Sequence, residues 1–89
     1  MRAHVLISGR VQGVGFRNYL RSKARKLNVY GWVTNAQNGW VEAEFEGQKD
    51  KIDQMIKYSK HGPFLAKVSS VKIEWKKEDG KYTSFEVIK

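Results

Sequence analysis

The chain has 89 residues, no cysteine and a formal net charge of +8. This length fits one domain, so we expect residues 1–89 to form a single domain, and the lack of cysteine excludes disulfides, thiolate metal sites and a cysteine nucleophile. No apolar run approaches the roughly 20 residues that a membrane helix needs, and nothing at the N-terminus resembles a signal peptide, so we expect a cytoplasmic protein without membrane association.

Apolar periodicity predicts seven elements along the chain. In chain order they are a buried strand at residues 5–8, a helix at 16–27, strands at 30–35 and 40–46, a helix at 49–60, and strands around 71–75 and 85–87. This order is typical of the α+β ferredoxin-like βαββαβ sandwich, in which two helices cover one face of an antiparallel sheet, with a short C-terminal fifth strand added here. Asn28 follows the first helix and is suited to a left-handed C-terminal cap.

The third predicted strand alternates apolar residues with Glu42, Glu44 and Glu46. Such alternation is typical of a strand with one buried and one solvent-exposed face, so we interpret the glutamates as an exposed row rather than as catalytic carboxylates. His4 and His61 have no second histidine or carboxylate at ligand spacing along the sequence, and no metal site is predicted.

Positive charge is concentrated in the first half of the chain. Residues 1–41 contain seven basic side chains and no acidic one, a net charge of +7, whereas the remaining residues carry only +1. Such a field attracts small anions toward the first loop and the first helix. We interpret the later basic residues of that helix as a solvated face, with nucleic acid as the alternative partner of a basic domain: Arg21, Lys23, Arg25 and Lys26.

A glycine-rich segment connects the first strand to the first helix. It contains Gly9, Gly13 and Gly15 and ends at Arg17. The first amides of a helix have no intrahelical acceptor and the helix dipole adds positive potential, so this turn suits a phosphate group that Arg17 could also contact. The spacing is neither that of a P-loop nor that of a dinucleotide-binding turn, and the glycines could equally serve the turn alone.

Two segments resemble the signatures of a known family. Residues 9–17, Gly-Arg-Val-Gln-Gly-Val-Gly-Phe-Arg, resemble the first signature of the acylphosphatases, and residues 31–35, Gly-Trp-Val-Thr-Asn, followed by Asn38 and Gly39, resemble the second. The resemblance implies an enzyme that hydrolyses acyl phosphates, which are carboxyl-phosphate anhydrides, to a carboxylate and inorganic phosphate. It also implies that the reaction uses no metal, no other cofactor and no covalent intermediate.

The same resemblance implies the site residues and the partners. The catalytic residues would be Arg17 and Asn35, with the Asn35 side chain orienting the attacking water, and the phosphoryl group would be bound by Gln12, Gly13, Val14, Gly15, Phe16 and Arg17. The expected partners are a small-molecule acyl phosphate and inorganic phosphate, as product and inhibitor, rather than nucleic acid, and the expected state is a monomer. Trp40 is bulkier than the residue that the family commonly has there, and is expected to pack beside the turn or to narrow access to the site.

Two other functions stay open from the sequence. Tyr30, Trp32 and Trp40 could stack RNA bases on the sheet of a ferredoxin-like binding module, although the RNA-recognition signature is absent. Alternatively, the glycine-rich segment could bind phosphate in a regulatory domain without turnover, since similar domains occur inside larger carbamoyl-transferring maturation proteins.

Overall fold

The computed structural model describes residues 1–88. Within them the predicted elements appear in the predicted order: β1 (Arg2–Arg10), α1 (Phe16–Leu27), β2 (Tyr30–Asn35), β3 (Val41–Glu46), α2 (Lys49–His61), β4 (Lys67–Lys76) and β5 (Phe85–Ile88). The ferredoxin-like α+β fold is therefore confirmed, and only β1 and β4 extend more than one residue beyond the predicted bounds.

The strands form one sheet in the order β4-β1-β3-β2-β5. As predicted, β1 is central, and it pairs antiparallel with both β3 and β4. The pairs among β1 to β4 are antiparallel, as predicted, and the added strand β5, whose direction the sequence left open, pairs parallel with β2. The chain leaves β4 at one edge, crosses an end of the sheet and enters β5 at the opposite edge, where its direction matches that of β2.

Both helices bury their apolar stripes against the same face of the sheet. In α1 the stripe consists of Phe16, Leu20 and Ala24, with Leu27 partly buried beside it. In α2 the predicted stripe is buried in full: Ile52, Met55, Ile56 and Ser59. The two stripes meet the inward side chains of β1, β2 and β3 in a single core. This core fixes α1, and with it the glycine-rich segment, against the sheet.

The cap that follows α1 is the one that the sequence predicts. Asn28 adopts the left-handed conformation at φ 56°, and its backbone N–H donates to carbonyl oxygens of the last helical turn. Asparagine tolerates this conformation better than other non-glycine residues do, so the position is filled without large strain. Among residues 1–88, no helix is long and apolar enough to cross a membrane.

The outer face of the sheet is not the exposed row of glutamates that the alternation predicts. Glu44 and Glu46 are only 6% and 4% exposed. The connection between β4 and β5, residues 77–84, folds over them: the Tyr82 hydroxyl donates to Glu44 at 2.8 Å, and the Asp79 amide donates to Glu46 at 3.2 Å. The prediction was wrong because a segment some forty residues away covers this face.

Basic side chains and a histidine surround the glutamates on the outer face of the sheet. The Nδ1 and Nε2 atoms of His4 lie 2.8 Å from Glu44 and 2.7 Å from Glu42, respectively. Glu44 also lies 3.6 Å from the Arg2 guanidinium and 3.7 Å from the Lys76 ammonium. We refer to the set as the outer-face cluster: Arg2, His4, Glu42, Glu44, Lys76 and Tyr82. The histidine thus has carboxylate neighbours in space that its sequence spacing does not reveal.

Candidate active site

The segment between β1 and α1 has the backbone conformation of an anion-binding turn. Gly13 and Gly15 adopt φ angles of 74° and 79°, while Val14 between them stays at negative φ. Positive φ at alternate residues is a feature of turns that direct successive N–H groups toward one concave side. Gly15 is also the N-cap of α1 and supplies no side chain to cap it. Within residues 1–88, the amides of residues 13–18 have no hydrogen-bond acceptor, so they are available to an anion.

The sheet topology explains why Asn35 lies beside this turn. β1 and β2 both run antiparallel to β3, so their carboxyl ends meet at the same end of the sheet. The register makes this specific, because Ile7 of β1 and Asn35 of β2 both lie opposite Val41 of β3. The chain therefore delivers the glycine-rich turn and the Asn35 side chain to one end of the sheet from two separate strands.

A cavity of about 390 Å³ opens at that end of the molecule. Its wall contains glycines of the turn, three polar side chains of α1, the side chain of Asn35 and a few apolar groups: Val11, Gly13, Gly15, Phe16, Arg17, Asn18, Arg21, Asn35 and Val87. No acidic side chain of residues 1–88 lines it, and Arg17 forms no ion pair within that part of the chain. The cavity thus combines free amides, an unpaired guanidinium and a side-chain amide.

Gln12 joins the turn to the hairpin that follows Asn35. Its Nε2 donates to the carbonyl oxygens of Ala36 and Trp40, both at 2.8 Å. The side chain therefore points toward the β2–β3 connection and does not line the cavity. Because one amide nitrogen holds two carbonyls across this hairpin, Gln12 fixes the distance between the glycine-rich turn and the end of β2.

Only some of the residues that the sequence associates with phosphate binding line the cavity. Gly13, Gly15, Phe16 and Arg17 line the cavity, whereas Gln12 and Val14 do not. Phe16 is 2% exposed and belongs mainly to the core, so its contribution to a ligand would come from its backbone. Asn35, which the sequence places apart from the turn, lines the same cavity.

Trp40 is not among the residues that line the cavity, and its backbone amide donates to the Asn38 side chain at 3.0 Å. Its ring lies 5.5 Å from the Lys72 ammonium, and its carbonyl accepts from Gln12. Both expectations for Trp40, packing beside the turn and narrower access to the site, stay predictions.

Sequence reasoning missed Asn18 and Arg21 as residues of this site. Both line the cavity, whereas Arg21 had been interpreted as part of a solvated helix face. The available signal was helical spacing, since Arg21 follows Arg17 by four residues and therefore projects from the same face of α1. Lys23 also differs from a freely solvated side chain, because its ammonium lies 4.8 Å from the centre of the Tyr58 ring.

The fold is that of a small ferredoxin-like domain with a cavity at one end of its sheet. A family model described as Acylphosphatase matches residues 3–87. A curated acylphosphatase from Roseiflexus sp. (strain RS-1) is 46% identical to this chain, and the match covers 98% of this chain and 94% of the relative. A curated acylphosphatase from Thermococcus kodakarensis is also 46% identical, over 90% of this chain and 88% of the relative. The chain belongs to the acylphosphatase family, and it is an acylphosphatase-type hydrolase of small-molecule acyl phosphates.

Solved structures agree with this assignment. The acylphosphatase from Bacillus subtilis matches with a TM-score of 0.95 at 28% identity, covering 99% of this chain and 98% of that one. The chain also matches a segment that makes up 12% of full-length HypF, whose structure is described as phosphate- and nucleotide-bound, with a TM-score of 0.89 and 30% identity. The fold therefore occurs both as a chain of this length and as part of a much longer one.

Proposed function

We propose that Arg17 and the amides of residues 12–17 bind the phosphoryl group of the substrate, and that the Asn35 side chain orients the attacking water. The observation that carries the proposal is that Arg17, the turn glycines and Asn35 line one cavity that no carboxylate of residues 1–88 enters. A phosphoryl group placed on the amides would face the guanidinium on one side and the asparagine on the other. The Asn35 carbonyl accepts a hydrogen bond from water and so fixes its approach to phosphorus.

The chemistry of the substrate explains why an acid or base is not needed in this cavity. The leaving group is a carboxylate whose conjugate acid has a pKa of about 4, so it departs without receiving a proton. The transition state of phosphoryl transfer is loose, and its charge lies on the equatorial oxygens. Catalysis then consists of positioning and charge stabilisation, which amides and a guanidinium supply. The mechanism proposed here uses neither a metal ion nor a covalent intermediate.

Product and partner expectations follow from the same geometry. Inorganic phosphate presents the same oxygens as the substrate to the turn and should inhibit competitively. Nucleic acid is not proposed as a partner, because Trp32 donates from its ring nitrogen to the Tyr82 hydroxyl and meets the edge of His4, which leaves less open ring surface for a base to stack on. We also propose a monomeric, cytoplasmic protein, as expected from the sequence.

The second candidate, phosphate binding without turnover, is separated from catalysis by an assay on benzoyl phosphate. We expect Arg17→Ala to lower kcat/KM by about a thousandfold and Asn35→Ala by about a hundredfold, the range seen when a donor to a developing charge or a positioning group is removed. Lys26→Ala is the matched control, because it removes an exposed charge from the same helix outside the cavity and should retain wild-type activity. Added phosphate should raise KM, and a chelator should leave the rate unchanged.

Each result has a separate meaning. Full activity in both Arg17→Ala and Asn35→Ala would remove the site assignment. A wild-type protein that binds phosphate but does not hydrolyse benzoyl phosphate would favour the regulatory domain. Loss of activity on chelation, restored by a divalent cation, would contradict the metal-free mechanism.

A further inference from the structure

We propose that Arg21 forms a second anion subsite in this cavity, and that the enzyme prefers acyl phosphates whose acyl group carries its own negative charge. The proposal rests on the function proposed above, in which the turn and Arg17 hold the phosphoryl group. It adds a substrate class: monophosphates of dicarboxylic acids or of other anionic acids.

The position of Arg21 relative to the turn supports a separate subsite. Arg17 and Arg21 are four residues apart on α1, so their side chains leave the same face of the helix, with Cβ atoms about 5–6 Å apart. Arg21 lies about 6 Å farther along the helix axis than Arg17 from the free amides at the start of α1, since four residues rise by about 1.5 Å each. A phosphoryl group bound at the amides therefore leaves Arg21 beside the acyl part of the substrate.

The charge of Arg21 is left without an internal partner. No acidic side chain of residues 1–88 lines the cavity, and none of these residues forms an ion pair with Arg21. The next arginine on the helix differs: Arg25 lies 3.8 Å from Glu86 and donates to the Phe85 carbonyl at 3.3 Å. Arg21 is a partly buried residue, and a guanidinium with free donors suits a carboxylate, which it can bind through two parallel hydrogen bonds.

The cavity has room for the group that Arg21 would bind. A phosphoryl group with its bridging oxygen has five heavy atoms and needs roughly 100–150 Å³ if each occupies no more than the ~30 Å³ share of a water molecule. The cavity measures about 390 Å³, so space remains for a short acyl group. Val11 and Val87 contribute apolar wall, suited to the carbon chain between the two charged ends.

The test compares two substrates that differ by one carboxylate: benzoyl phosphate and 4-carboxybenzoyl phosphate. We expect the wild-type kcat/KM to be about tenfold higher for the carboxylated substrate, mainly through KM, as for one charged hydrogen-bonded contact. Arg21→Gln should bring the ratio of the two kcat/KM values to about one, and Arg21→Glu should bring it below one. Arg21→Lys should keep an intermediate ratio, because lysine retains the charge but not the paired donors.

Lys26→Gln is the control for a change in the overall field, since it removes the same charge from the same helix outside the cavity. It should preserve the wild-type ratio. A wild-type ratio near one, a ratio that survives in Arg21→Gln, or an equal loss in Lys26→Gln would overturn the second subsite. None of these outcomes affects the proposed function, which fails instead if Arg17→Ala hydrolyses benzoyl phosphate at the wild-type rate.

Discussion

The cavity at the carboxyl ends of β1 and β2 and the outer-face cluster are both rich in charge, but they differ in how the charge is paired. Arg17 and Arg21 line the cavity together with glycines of the turn, and no carboxylate of residues 1–88 lines it. In the cluster, Glu44 accepts hydrogen bonds from His4 and Tyr82 and lies within 4 Å of Arg2 and Lys76. Charge that the fold leaves unpaired is available to a ligand, whereas charge that it neutralises internally contributes to stability.

This contrast has a direct consequence for mutagenesis. Substitutions of Arg17 and Arg21 should change catalysis with little effect on folding, because these cations have no internal partners to lose. Substitutions in the cluster should do the reverse, since its groups depend on one another for compensation. The predictions below test this division.

The largest effect on stability is expected for Glu44→Ala. This change removes the acceptor shared by His4 and Tyr82 and leaves Arg2 with Asp79, at 2.8 Å, as its remaining carboxylate partner, which should lower the free energy of unfolding by about 3 kcal/mol. Urea unfolding measures the loss, and kcat/KM for benzoyl phosphate should stay within about twofold of wild type at a temperature where the variant is folded. A large loss of kcat/KM in the folded Glu44→Ala variant would contradict the division between a catalytic cavity and a stabilising outer-face cluster.

Glu42→Ala provides the matched control for that substitution. It lies on the same strand and the same face, but its carboxylate is about one third exposed and its recorded ion pair is with His4 alone. We expect a loss of about 1 kcal/mol or less, in line with partly exposed pairs. An equal loss of stability in the two variants would mean that neither the deeper burial of Glu44 nor its larger number of partners makes it more important than Glu42.

A smaller effect is expected at two glycines with nearly the same backbone conformation. Gly13 and Gly80 have φ angles of 74° and 68°, and an added Cβ would meet no atom within 4 Å at either position. Alanine should therefore cost each site about 1–2 kcal/mol through the left-handed conformation alone. Only Gly13→Ala should also lower kcat/KM, by about tenfold or more, because a relaxed turn would misalign the amides. Equal activities in the two variants would place the turn outside the catalytic machinery.

Local sequence patterns were sufficient for much of this architecture. Helix periodicity located α1 and α2, and the glycine-rich spacing indicated an anion-binding turn, whereas Asn35 was singled out through the resemblance of residues 31–35 to a family signature. That the two motifs meet in one cavity depends on the parallel directions of β1 and β2, which the predicted fold already contained. These features could be predicted because they follow from short-range pattern and a common topology.

The features that could not be predicted depend on contacts between distant segments. Alternation in β3 cannot show that Glu44 is buried, because the covering group, Tyr82, is 38 residues away. The parallel pairing of β5 similarly depends on which edge of the sheet the chain reaches after β4. Arg21 was missed for a different reason. It was interpreted together with three other basic residues of α1 as a solvated face, although its spacing of four residues from Arg17 distinguishes it from them.

The smallest expected effect is a dependence of stability on acid pH that originates in the cluster. Burial alone raises the pKa of Glu44, but hydrogen bonds from His4 and Tyr82 and the charge of Arg2 outweigh it, so that pKa lies below its ordinary value of 4.5. A hydrogen bond from the Lys81 amide, assisted by Arg2, lowers the pKa of Asp79 below its ordinary 3.8. A carboxylate with a lowered folded-state pKa contributes stability above its unfolded-state pKa, and this is lost as the pH falls through the folded-state value.

The free energy of unfolding should therefore change little through these groups between pH 7 and pH 5 and decline below about pH 4.5. Glu44→Gln isolates the contribution of Glu44, because glutamine keeps the shape but cannot ionise. We expect the variant to be less stable than wild type at pH 6 and the gap between the two to narrow as the pH is lowered toward 3, measured by urea unfolding at each pH. A gap that stays constant across this range would show that ionised Glu44 does not stabilise the outer-face cluster, and the contrast with the unpaired arginines of the cavity would then lose its electrostatic basis.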